Sequence, residues 1–344
     1  MFASEENTQI VRVRHFATHS VIQTKTDFGP TLEVKTFFLL TKGARRVDVR
    51  VEVNNQKGSH RLRVLFQPPF FVKEIYADSQ FEVIKRPVSA KYFPQQKYMM
   101  VYDDVQRRGL AIANKGLPEY NVEQSNLCLT LLRAVDKLGD WGKFSTPTAQ
   151  ELGVLSLEYS IIPFVNPINI DLFPFAVPDA EARKFNERIV PINVKDYAGY
   201  FPEALVDTSF SDLVGLTSEP SLRFIDGLKM PTTPDGLRHL PQDRVGQLMP
   251  GSLIEVRPRH LVVSTLKKAE DRESLILRFY SPFETTDTAH VYVSSAIRFA
   301  KVYRCELSEQ RRGEGPLDVE DLEDGARLIK LVVGPKKIVT LELE

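Results

Sequence analysis

The sequence predicts an all-β protein in which a large sandwich, residues 1–250, is followed by a small one, residues 251–344. Three observations predict it. Apolar and polar residues alternate with period two from Thr31 to Phe71, turn residues interrupt that alternation at short intervals, and a second series of short alternating runs begins at Ser252. A chain of 344 residues is also too long for one ordinary sandwich and long enough to bury two cores.

The first runs are TLEVKTFFLL, RRVDVRVEVN and HRLRVLFQPPF, which read as an antiparallel meander with one wet face. Val47, Val49, Val51 and Val53 point to the core, and Asp48, Arg50 and Glu52 to water. FEVIKRPV, KYMMVYDD, RGLAIAN, NLCLTLLRAV and ELGVLSLEYSIIPF carry strand structure on to Phe164. Residues 165–250 are rich in Pro and Gly and read as excursions over the surface. Within them one helix is expected at about Asp179 to Arg188, with Asp179 as its N-cap and Glu181 favouring its dipole. From Ser252 the runs LIEVRPRHLVVSTLKK, SLILRFYSPF, AHVYVSSA, FAKVYRCEL, ARLIKLVV and KKIVTLELE make the small sandwich.

Composition narrows the function. Lys plus Arg equals Asp plus Glu at 45 each, so no net field draws the chain to nucleic acid or to an anionic membrane, and a neutral ligand fits better than a polyanion. The N-terminus has no apolar leader core and no run is long enough to span a bilayer, so the expected setting is cytoplasmic. Cys128 and Cys305 are far apart in sequence, and Cys128 lies in an apolar run, as a buried free thiol would.

Common catalytic motifs are missing: there is no Gly-rich phosphate loop, nucleophile elbow, paired Cys-x-x-Cys or His-Glu-x-x-His. His15 and His19 have helical metal-ligand spacing, but VRVRHFATHSVIQT reads as a strand, where four residues span about 13 Å. His60, His239, His260 and His290 are scattered singly, which suits surface or hydrogen-bonded structural roles. Asp103 and Asp104 precede Gln106-Arg107-Arg108-Gly109 and read as a solvated turn rather than a catalytic dyad.

Particular strings carry more than their periodicity. HRLRVLFQPPF, ADSQFEVIKRPV, MVYDDVQRRGLAIANKGLPEYNV, LCLTLLRAV, ELGVLSLEYSIIPF and SLILRFYSPFETT resemble, in order, the C-terminal half of glycoside hydrolase family 38, the α-mannosidases. The block Gly109 to Tyr120 and the block Thr130 to Arg133 are most similar to the bacterial branch, which includes mannosylglycerate hydrolases. The resemblance implies a large galactose-mutarotase-like super-sandwich and a small terminal sandwich. It also implies a retaining glycosidase whose zinc is held by a separate β/α domain through a His-x-Asp pair, a further Asp and a distant His. This sequence contains neither His-x-Asp nor His-Asp. The expectation is therefore no cofactor in this chain, zinc only in a catalytic domain on a missing or separate polypeptide, and no hydrolysis by the chain alone.

One family residue maps onto this chain. The arginine with which the large sandwich reaches the mannose site matches Arg133; read from the residues alone, Arg133 either reaches water along its stem or pairs with a structural carboxylate. The turn Asn114 to Tyr120 presents Asn114, Lys115, Glu119 and Tyr120 as further sugar-facing candidates, although Gly116 and Pro118 make it equally an ordinary turn. Arg86 is read as an ion-pair partner at a strand end, and Trp141 as either a stacking platform or a packing anchor. The expected partners are an α-mannoside-type carbohydrate and a zinc domain, with no nucleic acid and no membrane. The alternatives are a stand-alone carbohydrate-binding or structural sandwich, and a mutarotase-like enzyme, for which no His and Glu pair is legible.

Overall fold

The computed structural model describes residue 3 and residues 6–139, 142–165, 176–186 and 252–344. Trp141, His239, the 250–251 boundary and most of the stretch 165–250 lie outside the described residues. The described residues are strand-rich with one α-helix, the all-β class expected. They divide into two compact units, the first holding residues 6–77, 86–139, 142–165 and 180–186, the second 78–85, 176–179 and 252–344.

The first unit is built on strands β1 to β4, β15, β10, β9 and most of β6 of a nine-stranded sheet in the order β1-β2-β3-β4-β15-β10-β9-β6-β7. Its strands are β1 (Thr8–His15), β2 (His19–Asp27), β3 (Leu32–Thr41), β4 (Val47–Asn55), β6 (Glu74–Ser79), β7 (Glu82–Pro87), β9 (Tyr98–Asp103), β10 (Arg108–Lys115) and β15 (Gly153–Val165). A second sheet in the order β5-β12-β11-β8 uses β5 (Arg61–Phe66), β8 (Phe93–Pro94), β11 (Glu119–Glu123) and β12 (Asn126–Arg133). Val49, Val51 and Val53 from β4, Met99, Val101 and Ile112 from the first sheet, and Leu127, Leu129, Leu131, Tyr120 and Val122 from the second share one buried core. Alternation therefore places the valines of β4 inside as expected, and leaves Glu119, Asn121, Glu123 and Thr130 of β11 and β12 to the opposite face.

Two expectations are corrected. HRLRVLFQPPF does not continue the meander: β5 leaves the first sheet and pairs with β12, so the third run crosses to the opposing layer. VRVRHFATHSVIQT is not one strand but a tight hairpin, in which the Phe16 amide donates to the His19 carbonyl at 2.8 Å. His15 shares a hydrogen bond with Ser20 at 3.0 Å, and His19 stacks on Phe16.

Helix α1 (Ala176–Asn186) begins before Asp179, so Asp179 lies inside the first turn rather than at the N-cap. Pro178 fits there because the first turn needs no amide donor. Glu181 pairs with Arg46 at 2.9 Å, and Arg46 also pairs with Asp48 of β4 at 2.9 Å. Residues 187–188 of the expected helix lie outside the described residues.

The second unit packs two four-stranded sheets, β16-β19-β22-β21 and β17-β18-β23-β20. Its strands are β16 (Ile254–Arg257), β17 (Val262–Lys268), β18 (Leu275–Tyr280), β19 (Asp287–Val293), β20 (Val302–Cys305), β21 (Val319–Asp321), β22 (Arg327–Val333) and β23 (Ile338–Leu343). LIEVRPRHLVVSTLKK, one run in the sequence, breaks at Pro258 and supplies one strand to each sheet. Residues 78–85 belong to this unit: the ring of Phe81 meets Tyr280 edge-on, and the Val83 amide donates to the Pro282 carbonyl at 2.7 Å.

Candidate functional site

Because Leu127, Leu129, Tyr120 and Val122 take the core side of the second sheet, period two sends Glu119, Asn121 and Glu123 of β11, Cys128 and Thr130 of β12, and Arg61 and Arg63 of β5 to its other side. Strict alternation would not put Arg133 there, since it lies three residues from Thr130. The ladder shifts register between Thr130 and Leu132, and this bulge brings Arg133 directly opposite Arg61.

The result is a polar patch with two kinds of charge pairing. Arg63 is fully matched, donating to the two oxygens of Glu123 at 2.6 and 3.4 Å. Each partner stabilises the other's charge, so the Glu123 carboxyl is held below its ordinary range, first by Arg63 and then by Asn121, and the Arg63 guanidinium is raised by Glu123. Glu119, by contrast, is shared. Its Oε1 accepts from Thr130 Oγ1 at 2.9 Å and lies 3.5 Å from Arg61 Nε, and its Oε2 lies 3.8 Å from Arg133 Nη1. Both arginine contacts are ion pairs beyond good hydrogen-bond length. The Arg61 guanidinium carbon lies over the ring of Tyr92, 3.9 Å from its centre, at cation–π distance.

The sequence candidates separate on this geometry. Arg133 and Glu119 come together, and the Arg133 side chain is 50% exposed. Asn114 and Tyr120 are not on a rim: both are wholly buried. The Asn114 amide donates to the Gln96 carbonyl at 3.1 Å and its oxygen accepts from the Leu117 amide at 2.8 Å, so the side chain closes the turn before β11. The Tyr120 ring belongs to the core, its hydroxyl accepts from Arg86 at 3.4 Å, and burial pushes the phenol up from its ordinary value. Lys115 sits on the first sheet, paired with Glu158 at 2.6 Å, with its ammonium 4.6 Å from the centre of the Phe185 ring of α1.

Arg86 also donates to the Pro94 carbonyl at 2.8 Å, tying β7 to β8. Asp103 and Asp104 stand in a turn, where Asp103 Oδ1 accepts from the amides of Val105 and Gln106. Arg61 and Tyr92 went unrecognised in the sequence. The signal for Arg61 was the alternation HRLRVLF, which already places Arg61 and Arg63 on the side opposite Leu62 and Val64. Its pairing with Arg133 depends on the bulge, which no periodicity announces.

Among the described residues no group of three or more His, Cys, Asp or Glu side chains is arranged to hold a metal ion. His260, which is buried, is engaged with Asp287 at 2.9 Å. Among the same residues no helix is long and apolar enough to cross a membrane.

Comparison with known proteins agrees with the fold. Residues 260–341 match the glycosyl hydrolases family 38 C-terminal beta sandwich domain. A putative mannosylglycerate hydrolase of Halalkalibacterium halodurans is 24% identical over 319 residues, which cover 91% of this chain and 29% of that protein. A glycosyl hydrolase family 38 protein from Enterococcus faecalis superposes with a TM-score of 0.64 at 20% identity, over 98% of this chain and 36% of the other. An alpha-mannosidase from Enterococcus faecalis V583 gives a TM-score of 0.64 at 19% identity, over 98% and 35%. The chain thus spans about a third of the length of these relatives. Residues 260–341 thus match the family 38 C-terminal beta sandwich domain, and the chain as a whole is similar in sequence and fold to the C-terminal part of family 38 proteins.

Proposed function

We propose that this chain is the sugar-facing β-domain of an α-mannosidase-like retaining glycoside hydrolase, and that it supplies one wall of a mannoside site to a zinc catalytic domain outside this chain. The observation that carries the reading is Arg133: a half-exposed guanidinium with one carboxylate at 3.8 Å keeps most of its donors for a ligand. Hydroxyl groups of a pyranose are suitable acceptors, and charge-assisted bonds to them are the stronger kind. Glu119, anchored by Thr130, orients the guanidinium from behind and can accept from a sugar hydroxyl. The names of the relatives support a mannoside as the ligand and mannosylglycerate as one form of it.

Zinc, where bound in the catalytic domain, would supply the Lewis acid, and this chain's part is binding and orientation. The two buried free thiols, Cys128 and Cys305, accord with a reducing, cytoplasmic setting. The alternative, a stand-alone carbohydrate-binding or structural sandwich, is favoured by the extent to which Arg63, Asn121 and Glu123 satisfy one another without a ligand.

The test is titration of the purified chain with methyl α-mannoside, alongside an assay of 4-nitrophenyl α-mannoside hydrolysis. Saturable binding with no turnover is expected. Chelator-sensitive turnover by the chain alone would overturn the half-site reading, and absence of binding would overturn the sugar-facing one.

A further inference from the structure

We infer that the free edge of β1 pairs with the free edge of β21 from a second copy of this chain, so that copies associate by strand addition. The inference goes beyond the sugar-facing reading and does not rest on it. Among the described residues β1 ends the nine-stranded sheet, with β2 as its one partner, and β21 ends a sheet of the small sandwich, with β22 as its one partner. Each leaves a row of backbone amides and carbonyls with no strand beside it, the kind of edge that another extended segment adds to.

The side chains along the two edges complement one another. Val13 stands opposite Ile22, and that row runs through Phe38 to Val49 of the core, so Val13 is on the core side of the sheet and Arg12 and Arg14 are on the other. At β21, Val319 packs against the core of the small sandwich, so Asp318 and Glu320 take the opposite side. Arg-Val-Arg at 12–14 can therefore meet Asp-Val-Glu at 318–320. With the valines opposite each other, an antiparallel pairing sets Arg12 against Glu320 and Arg14 against Asp318, and a parallel pairing exchanges the two acids. Opposite charges face each other either way, and such cross-strand pairs stabilise a ladder.

The exposed side chains of β1 call for a partner. Ile10, Val11 and Val13 are 68%, 51% and 50% exposed. Neither Arg12 nor Asp318, both exposed, has an ion-pair partner among the described residues. Glu320 meets Lys330 at 2.7 Å, but both side chains are more than half exposed, and a surface pair of this kind is weak enough to exchange.

Charge also decides which edge is the partner. Strand β1 holds two arginines and no acid, whereas residues 314–324 hold six acidic residues and no base. Two arginines and the bulge between Ile10 and Arg12 are devices that keep a second β1 away. An acidic edge turns the same charges into attraction, which selects β21 over β1. The overall neutrality of the chain hides these two opposite local charges.

The experiment is analytical ultracentrifugation of the full chain over a range of concentrations. At low salt the average mass should rise with concentration above that of one chain, and at high salt it should return toward it, since the contact is small and its charges are exposed. Arg12→Glu with Arg14→Glu, and separately Asp318→Lys with Glu320→Lys, should each weaken association at least about tenfold, because like charges then face each other. Mixed in equal amounts the two variants should associate again, since each offers the edge that the other lacks. In the wild type, amide exchange at residues 11–14 and 318–321 should slow as the mass rises.

Melting curves confirm that each variant is folded, and the exchange measurement on the wild type decides the matter if one is not. A chain that stays monomeric up to about 1 mM at low salt would overturn the inference. So would association that survives either pair of charge reversals, a mixture of the two variants that stays monomeric, or a rise in mass without slower exchange at both edges.

Discussion

Arg61 and Arg133 are cross-strand partners only because the β5–β12 ladder slips between Thr130 and Leu132. In an unbroken ladder Leu132 would stand opposite Arg61, and Arg133 would turn toward the core that Leu127, Leu129 and Leu131 fill. The bulge therefore converts a strand-end arginine into a surface donor beside Glu119, in keeping with the use of bulges to re-aim side chains near functional sites.

Arg133→Ala separates binding from stability. The side chain is half exposed and its ion pair with Glu119 is 3.8 Å long, so its loss should change stability by less than about 1 kcal/mol. Mannoside affinity should fall by about 1–3 kcal/mol, the contribution of hydrogen bonds from a charged donor. Thermal melting and sugar titration on this one variant check both. A lowered melting temperature with unchanged affinity would make Arg133 a structural ion-pair partner.

Asn114→Ala should do the reverse. Asn114 is buried, and its side chain serves the Gln96 carbonyl and the Leu117 amide, so truncation leaves two backbone groups without their partner. The expected loss of stability is about 2–4 kcal/mol, from two polar groups at about 1–2 kcal/mol each. Denaturant unfolding measures it, and any sugar affinity of the folded fraction should be unaltered. A variant of wild-type stability with weakened binding would return Asn114 to the ligand.

What the sequence made legible follows period and what it hid follows pairing. The inward valines of β4 and the strands containing Met99, Ile112 and Leu129 were readable because apolar residues recur at the spacing one buried face demands. Strand β5 shows the same alternation, yet nothing local says that it joins β12 rather than β4. Among the candidate residues, Arg133 came from the resemblance and Glu119 from its turn. Asn114 and Tyr120 look polar enough for a rim, and only tertiary packing reveals that the turn closes on Asn114 and that the core takes the ring of Tyr120. The N-terminal hairpin was missed because Phe16-Ala17-Thr18 contains neither Gly nor Pro.

Glu342 should set the acid limit of the small sandwich. It is wholly buried on β23, and its carboxylate accepts from Arg311 Nε at 2.7 Å, Arg272 Nε at 2.6 Å and Ser274 Oγ at 2.8 Å. Arg311 is the largest cause holding its carboxyl down; burial opposes this, and Arg272 and Ser274 add to the lowering, so the folded value is about 2 against an ordinary 4.5. A carboxyl with a depressed folded value contributes stability that is fully present above its ordinary value and is lost as pH falls toward the folded one. The window is therefore from about pH 4.5 down to about pH 2, and the contribution on the order of 3 kcal/mol. Glu342→Gln keeps the shape but leaves both arginines facing a neutral amide, so stability at neutral pH should drop by a similar amount. The variant's unfolding free energy should also fall less steeply than the wild type's through that window. Urea unfolding of both proteins at several pH values between 7 and 2.5 gives the two curves. Parallel curves would mean that Glu342 contributes nothing to the acid transition.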